Sequence, residues 1–185
     1  MEIKYQIKAH FSEVVCLHYC ERLNVLVTAD RNTVTLRNLY NLKYLTNINL
    51  SLGQDSTVID VKISTFDLLY ILVNLNGGDD SELLLYTVNG VYLNKTTGKI
   101  NNFDFTTNGR VLVGFYDRNY FSVLDGVNFK KISSKNIHVE SPNAYNYFTF
   151  EYDNESKMIY SGMNNREGSC IKCVKITNKE EMYFL

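Results

Sequence analysis

Tryptophan is missing from this 185-residue chain, proline occurs once, at Pro142, and no segment sustains apolar residues at i, i+3, i+4 and i+7 beyond a turn or two. The absence of that period leaves nothing that points to helices. Charge of one sign is also missing. The formal net charge is −1, from 19 basic and 20 acidic side chains, and the longest basic cluster, Lys130-Lys131 with Lys135, is short. That balance carries no electrostatic footprint for nucleic acid or an anionic membrane. No apolar run approaches the roughly 18 residues of a membrane helix. The start, MEIKYQIKAHF, has neither the basic lead nor the apolar stretch of a signal peptide, and Ile3, Tyr5 and Ile7 alternate as in a strand. A soluble cytoplasmic protein is expected, with no direct membrane insertion and any membrane association made through partners. Without a secretory signal, the triplets beginning at Asn49, Asn94 and Asn154 carry no weight as glycosylation sites.

Cysteine is sparse. Cys16 and Cys20 are four apart and Cys170 and Cys173 three apart. A zinc site needs each pair to converge around a tight turn, whereas SCIKCVKI reads as a strand whose odd offset sends its two thiols to opposite faces. The four are read as small apolar fillers in a reducing compartment, with no metal and no cofactor expected.

What the chain has is sheet-forming sequence, 45% apolar and 13% aromatic, which excludes disorder. Residues 23–50, LNVLVTADRNTVTLRNLYNLKYLTNINL, set the pattern. Runs at 25–28 and 33–36 are rich in Val, Leu and Thr, which suit a pleated, half-buried surface. Asp30-Arg31-Asn32 joins them, because short polar side chains bond nearby backbone and tolerate left-handed geometry. With residues 14–19 before and 44–50 after, this makes a four-stranded antiparallel meander.

The plan recurs. Four units are expected at about residues 7–50, 51–96, 97–134 and 135–185, within a single domain spanning 1–185. In the second unit, strands are expected at 58–63, 68–75, 82–88 and 91–94, with Asn89-Gly90 a strong hairpin signal. In the third they are expected at 100–106, 111–116, 120–124 and 129–132, and Asp117-Arg118-Asn119 repeats Asp30-Arg31-Asn32 after 87 residues. In the fourth they are expected at 144–152, 158–162, 169–176 and 182–185. The first strands end at Tyr19, Ile63, Phe105 and Tyr152, spaced by 44, 42 and 47 residues. Four short strands repeating at this period are the signature of a propeller blade, whose two apolar faces need neighbours. The expected fold is an all-β, WD-repeat-like β-propeller of about four blades, as a partial ring or a small closed one.

The units resemble degenerate WD repeats. Arg37-Asn38, Tyr86-Thr87 and Leu124-Asp125 stand where Trp-Asp usually ends the third strand, and Ala9-His10 stands where Gly-His usually precedes the first. These replacements put the hydrogen-bond network of those residues in question, so that packing must compensate. More narrowly, TVTLRNLYNLKYL (33–45) and LLLYTVNGVYL (83–93) followed by GKINNFDFTTNGRVLVGF (98–115) look like the C-terminal propeller of BEACH-domain, neurobeachin-like proteins. That resemblance covers most of residues 8–177. It implies a non-catalytic protein-interaction scaffold in vesicle or membrane trafficking. It also implies about three preceding blades that this chain lacks, making it a fragment or a reduced relative. Apart from the resemblance, a four-blade chain could also complete a ring as a homodimer.

No phosphate-cradling Gly loop, Gly-x-Ser-x-Gly or His-Glu-x-x-His occurs, and His10, His18 and His138 have no ligand spacing. One polar constellation stands out. His18, Lys62, Asp104 and Glu151 share a register in the four first strands, each just before the last apolar residue. In a propeller these strands line the central channel, where Asp104 and Glu151 would be paired carboxylates for hydrolysis. Simple alternation between apolar neighbours, as in Leu17-His18-Tyr19, explains the same residues without catalysis. Exposed aromatics are the stronger indication of protein partners, and Tyr116, Tyr120, Tyr145 and Tyr147, at strand ends and turns, are the expected binding residues.

Overall fold

A computed structural model of the chain describes residues 8–78, 80–106, 108–115, 120–136, 148–153, 155–165, 168–176 and 182–184. Among them are sixteen strands and no helix, in four antiparallel four-stranded sheets. The expected N-terminal strand around Ile3, Tyr5 and Ile7 lies outside the described residues.

Sheet one joins β1 (Cys16–Cys20), β2 (Val25–Ala29), β3 (Thr33–Asn38) and β4 (Tyr44–Asn49). Sheet two joins β5 (Thr57–Ile63), β6 (Leu68–Asn74), β7 (Ser81–Thr87) and β8 (Tyr92–Gly98). Sheet three joins β9 (Ile100–Phe105), β10 (Val111–Phe115), β11 (Tyr120–Leu124) and β12 (Lys131–Asn136). Sheet four joins β13 (Phe148–Asp153), β14 (Met158–Asn165), β15 (Gly168–Ile176) and β16 (Met182–Phe184). Every sheet is an up-and-down meander in chain order.

The chain divides into two compact units, the first of residues Met1–Gly78 with Leu83–Leu93, the second of Asp79–Glu82 with Asn94–Leu185. In the first unit β1 and β2 pack against β5. One face of sheet one, with Val27, Ala29 and Val34, is fully dry against Val61, Leu69, Ile71 and Val73. Each Val, Leu or Ile among them, taken wholly out of water, contributes about 1.5–3 kcal/mol. Cys16 and Cys20 pack at the margin of this core. Burial, and then the charge of Asp60, push the Cys16 thiol up to about 12, so it stays protonated. The ends of the sheets interlock as well. Arg31 donates from Nε to the Ser56 carbonyl at 3.0 Å, and the Arg31 carbonyl accepts Val58 N–H at 3.1 Å.

In the second unit β9 packs against β13. Ile100, Phe103, Val111, Leu112 and Val113 are wholly buried, and Phe103 meets Phe105 edge-on at 5.7 Å. Ser81 Oγ accepts Ile100 N–H at 2.6 Å and lies 2.8 Å from the Gly98 carbonyl, fixing the start of β7 to the β8–β9 junction.

β14 runs to Asn165, past the expected 162, and two further strands depart from expectation for visible reasons. β12 begins at Lys131, not at residue 129. Phe129 belongs to the turn, with φ 58°, because Asp125 Oδ1 accepts the N–H groups of Val127 and Asn128 and holds a longer loop open. The loop after β3 is built alike. Asn38 Oδ1 accepts Tyr40 and Asn41 N–H, and Leu42 sits at φ 56°. β8 runs from Tyr92 to Gly98 and not 91–94, since an outer strand needs only one dry side and accepts Asn94, Lys95, Thr96 and Thr97.

Candidate functional site: a turn-bearing end and the His10 network

Asp30 follows β2 and opens the turn to β3. Its Oδ1 accepts Asn32 N–H at 3.0 Å and Thr33 N–H at 2.7 Å, the bonding for which a short carboxylate suits a turn. Oδ2 lies 3.3 Å from His10 Nδ1, while His10 Nε2 lies 2.8 Å from Thr28 Oγ1. With Nδ1–H facing the carboxylate, Nε2 accepts the threonine hydroxyl. Burial pushes the Asp30 carboxyl up, but the N–H groups of Asn32 and Thr33, the Ser12 side chain and His10 together hold it below its ordinary value.

The network that the sequence put in question is therefore formed around Ala9-His10, and it straps residues 8–12 onto sheet one. Arg37, at the Trp position, completes the strap. It is 5% exposed, its guanidinium stacks 3.6 Å from the Tyr44 ring centre, and it donates to the carbonyls of Leu42 at 3.0 Å and Lys8 at 3.4 Å. A flat cation thus takes the place of a flat indole.

Hydroxyl, imidazole and carboxylate in a row also describe a hydrolytic triad. Here the hydroxyl does not face substrate space. Thr28 is 5% exposed, and the adjacent cavity of about 170 Å³ is lined by His10, Asp30, Thr33, Thr35, Tyr44 and Asn47 among others, without Thr28.

Each of the four polar positions of the first strands pairs with the second strand of its own sheet, His18 with Val27, Lys62 with Tyr70, Asp104 with Leu112 and Glu151 with Tyr160. Their local partners differ. Lys62 Nζ lies 3.9 Å from Asp60 Oδ2. Asp104 accepts Phe105 N–H at 2.9 Å and Tyr152 N–H at 3.1 Å, which ties β9 to β13. The Glu151 side chain lies outside what is described, so a pairing with Asp104 is not on view. Among the described residues no group of three or more His, Cys, Asp or Glu is placed to hold a metal ion.

Of the tyrosines expected to bind, Tyr116, Tyr145 and Tyr147 lie outside the described residues, and Tyr120 is described only by its backbone in β11. Other apolar side chains are exposed. In the first unit the β1–β2 and β5–β6 turns meet through the Arg22–Asp67 ion pair. Thr46 of β4 donates to the Val88 carbonyl of the β7–β8 turn at 3.2 Å. Antiparallel order places the β3–β4 turn at this same end. Tyr40, Phe66 and Val91, one on each of three turns, are 81%, 61% and 58% exposed there. The opposite end, at Asp30-Arg31-Asn32, Ser56 and Asn76, is polar, with Ser56 Oγ accepting Asn76 N–H at 3.2 Å. Sequence reasoning missed Tyr40 and Phe66, although both are aromatics bracketed by turn residues, Asn38 and Asn41 in one case, Thr65 and Asp67 in the other.

No family model and no curated protein sequence matches the chain. Solved structures do. Raptor of Chaetomium thermophilum superposes with a TM-score of 0.67 at 14% identity, over 94% of this chain and 17% of that one. The Cps50 (Swd1) β-propeller domain of Myceliophteria thermophila gives 0.68 at 12%, over 98% and 59%. BamB of Moraxella catarrhalis gives 0.58 at 10%, over 99% and 56%. The chain spans less than two thirds of each. At these identities the likeness speaks to fold, and with four meander sheets of four strands the chain has a WD-repeat-like β-propeller fold.

Proposed function

We propose that the chain is a non-catalytic scaffold that binds protein partners at the end of its first unit bearing Tyr40, Phe66 and Val91. The observation that carries this reading is the exposure of these three side chains on neighbouring turns, where no core demands them. Aromatic side chains give large contact area at low entropic cost, and such residues dominate binding surfaces. A blade scaffold holds its turns in fixed relation, so the surface is preorganised. The finer expectation, a BEACH-type scaffold in vesicle or membrane trafficking, rests on the sequence phrases at 33–45, 83–93 and 98–115, and a cytoplasmic location on the sequence pattern of the N-terminus.

The test is quantitative partner enrichment with wild type and with a Tyr40→Ser, Phe66→Ser double variant. Partners should drop about tenfold or more with thermal stability unchanged. Full retention of every partner by the folded variant overturns the reading. Asp104→Asn with Glu151→Gln addresses the hydrolytic alternative: loss of a measured hydrolysis with the fold intact would assign an enzyme.

A further inference from the structure

β4 is the outer edge of sheet one, and among the described residues no strand pairs with its free side. The directions of its backbone groups follow from the bonds on the paired side. Leu50 N–H donates to the Asn32 carbonyl at 2.9 Å, and the register sets Asn49 against Thr33, Ile48 against Val34 and Asn47 against Thr35. Peptide groups alternate along an antiparallel strand, so Leu50, Ile48 and Thr46 turn theirs toward β3. Asn47 and Asn49 turn theirs outward, each with one N–H and one C=O.

Outer strands are commonly blunted by charge. β8 carries Lys95, and β12 carries Lys131 and Lys135. β4, with the sequence YLTNIN, has no charge, proline or glycine, and the nearest charge is Lys43 just before it. Tyr44 and Leu45 of the same strand are 60% and 52% exposed. A cavity lies beside it. The space of about 170 Å³ has Tyr44 and Asn47 of β4 in its wall, together with Thr33 and Thr35 of β3 and His10 of the strap. The Thr35 and His10 side chains are buried, so this part of the wall is fixed.

We propose that β4 receives an extended peptide segment of a partner protein as a fifth strand, with one peptide side chain in the cavity. Three observations choose this occupant. Outward N–H and C=O groups on alternate residues, roughly 7 Å apart, match the repeat of another strand. The edge lacks the lysines that guard β8 and β12, which leaves it open to pairing. The cavity supplies selectivity, because cross-strand partners share a face and the peptide residue opposite Asn47 has its side chain on the cavity side. Thr33, Thr35 and Asn47 favour a polar, hydrogen-bonding side chain at that position. This adds a second surface to the scaffold reading and does not depend on Tyr40, Phe66 or Val91.

The probe is a displayed library of random peptides of about 12 residues, long enough to span the strand, selected on the full wild-type chain and remade as free peptides. Binders are expected. Adding one should slow amide exchange at Asn47 and Asn49 about 10-fold or more, while Thr46 and Ile48, already turned to β3, change less. Asn49→Pro removes an outward N–H where an edge strand accepts proline, and should weaken binding about 10-fold. The Tyr40→Ser, Phe66→Ser double variant should bind as wild type does. Should Asn49→Pro fail to fold by circular dichroism, the exchange pattern decides alone. A library without binders overturns the proposal, as do binders that leave both amides fast. Binders lost with the double variant but kept by Asn49→Pro overturn it and support the turn-bearing end. Slowing of the same two amides with protein concentration, without peptide, overturns it in favour of a second copy.

Discussion

The N–H of Tyr152 on β13 donates to Asp104 Oδ2 on β9 at 3.1 Å, so one carboxylate ties two neighbouring first strands together. The same carboxylate holds Phe105 N–H at 2.9 Å. Hydrogen bonds to a charged acceptor contribute about 1.5–3 kcal/mol, and their loss leaves half-buried donors unpaired. Asp104→Ala should therefore lower unfolding stability by about 2–3 kcal/mol in a urea titration. Asp104→Asn, which keeps one acceptor oxygen, should cost less than half of that. An Asp104→Ala protein as stable as wild type would deny the tie.

The His10 strap gives a pH prediction. Asp30 has its carboxyl held below the ordinary 3.8, so its stabilising contribution is complete above that value. It is lost as pH falls from that value through the lower, folded one, because in that window the unfolded chain binds a proton that the folded carboxylate does not. Asp30→Asn should destabilise by about 1–3 kcal/mol near neutral pH. Below about pH 4 the wild type should lose that advantage over the variant. Paired urea titrations at pH 7 and at about pH 3 check it. His10→Ala should also destabilise at pH 7, since Thr28 and Asp30 lose a buried partner.

Arg37 should tolerate no simple replacement. A lysine keeps the charge but neither stacks flat on Tyr44 nor forks to the Leu42 and Lys8 carbonyls. Arg37→Lys should cost about 1–2 kcal/mol and Arg37→Ala about 3 kcal/mol. Tyr44→Ala should make Arg37→Lys less costly, and a double-mutant cycle on the pair measures that coupling.

Gly90 closes the β7–β8 turn at φ +84°, and a Cβ there would sit 2.8 Å from Thr46 Cγ2. Gly90→Ala should cost about 2 kcal/mol, part from the left-handed backbone and part from the clash. Adding Thr46→Ser removes the clashing methyl and keeps the hydroxyl that reaches the Val88 carbonyl, so roughly half of the loss should return. No recovery in the double variant would place the whole cost in the backbone.

Strand positions were legible where one face is dry. Val25–Ala29 and Leu68–Asn74 were visible as apolar runs because tight sheet-on-sheet burial leaves them no polar choice. The start expected for β12 lies two residues too early because Phe129 looks like a strand aromatic, while Asp125 fixes it in a turn by bonds invisible in a hydropathy pattern. The polar strand Tyr92–Gly98 was cut short for the converse reason, since exposed outer strands need no apolar alternation. Among site residues, the places of His18, Lys62 and Asp104 on first strands were readable from spacing alone. The bond from Tyr152 to Asp104 was not, because it joins residues 48 apart. The role of His10 was underread, since Arg37 in the Trp position hides the repeat until the guanidinium is seen lying flat on Tyr44.

The central claim is a repeated blade whose second strand, in the first three sheets, is largely buried and whose outer strand is wet. Native-state amide hydrogen exchange tests it most directly. Slowest exchange should recur at Val25–Ala29, Leu68–Asn74 and Val111–Phe115, with rapid exchange at Tyr44–Asn49 and Tyr92–Gly98. Protection that fails to recur from sheet to sheet, or outer strands as slow as the second strands, would contradict the blade architecture.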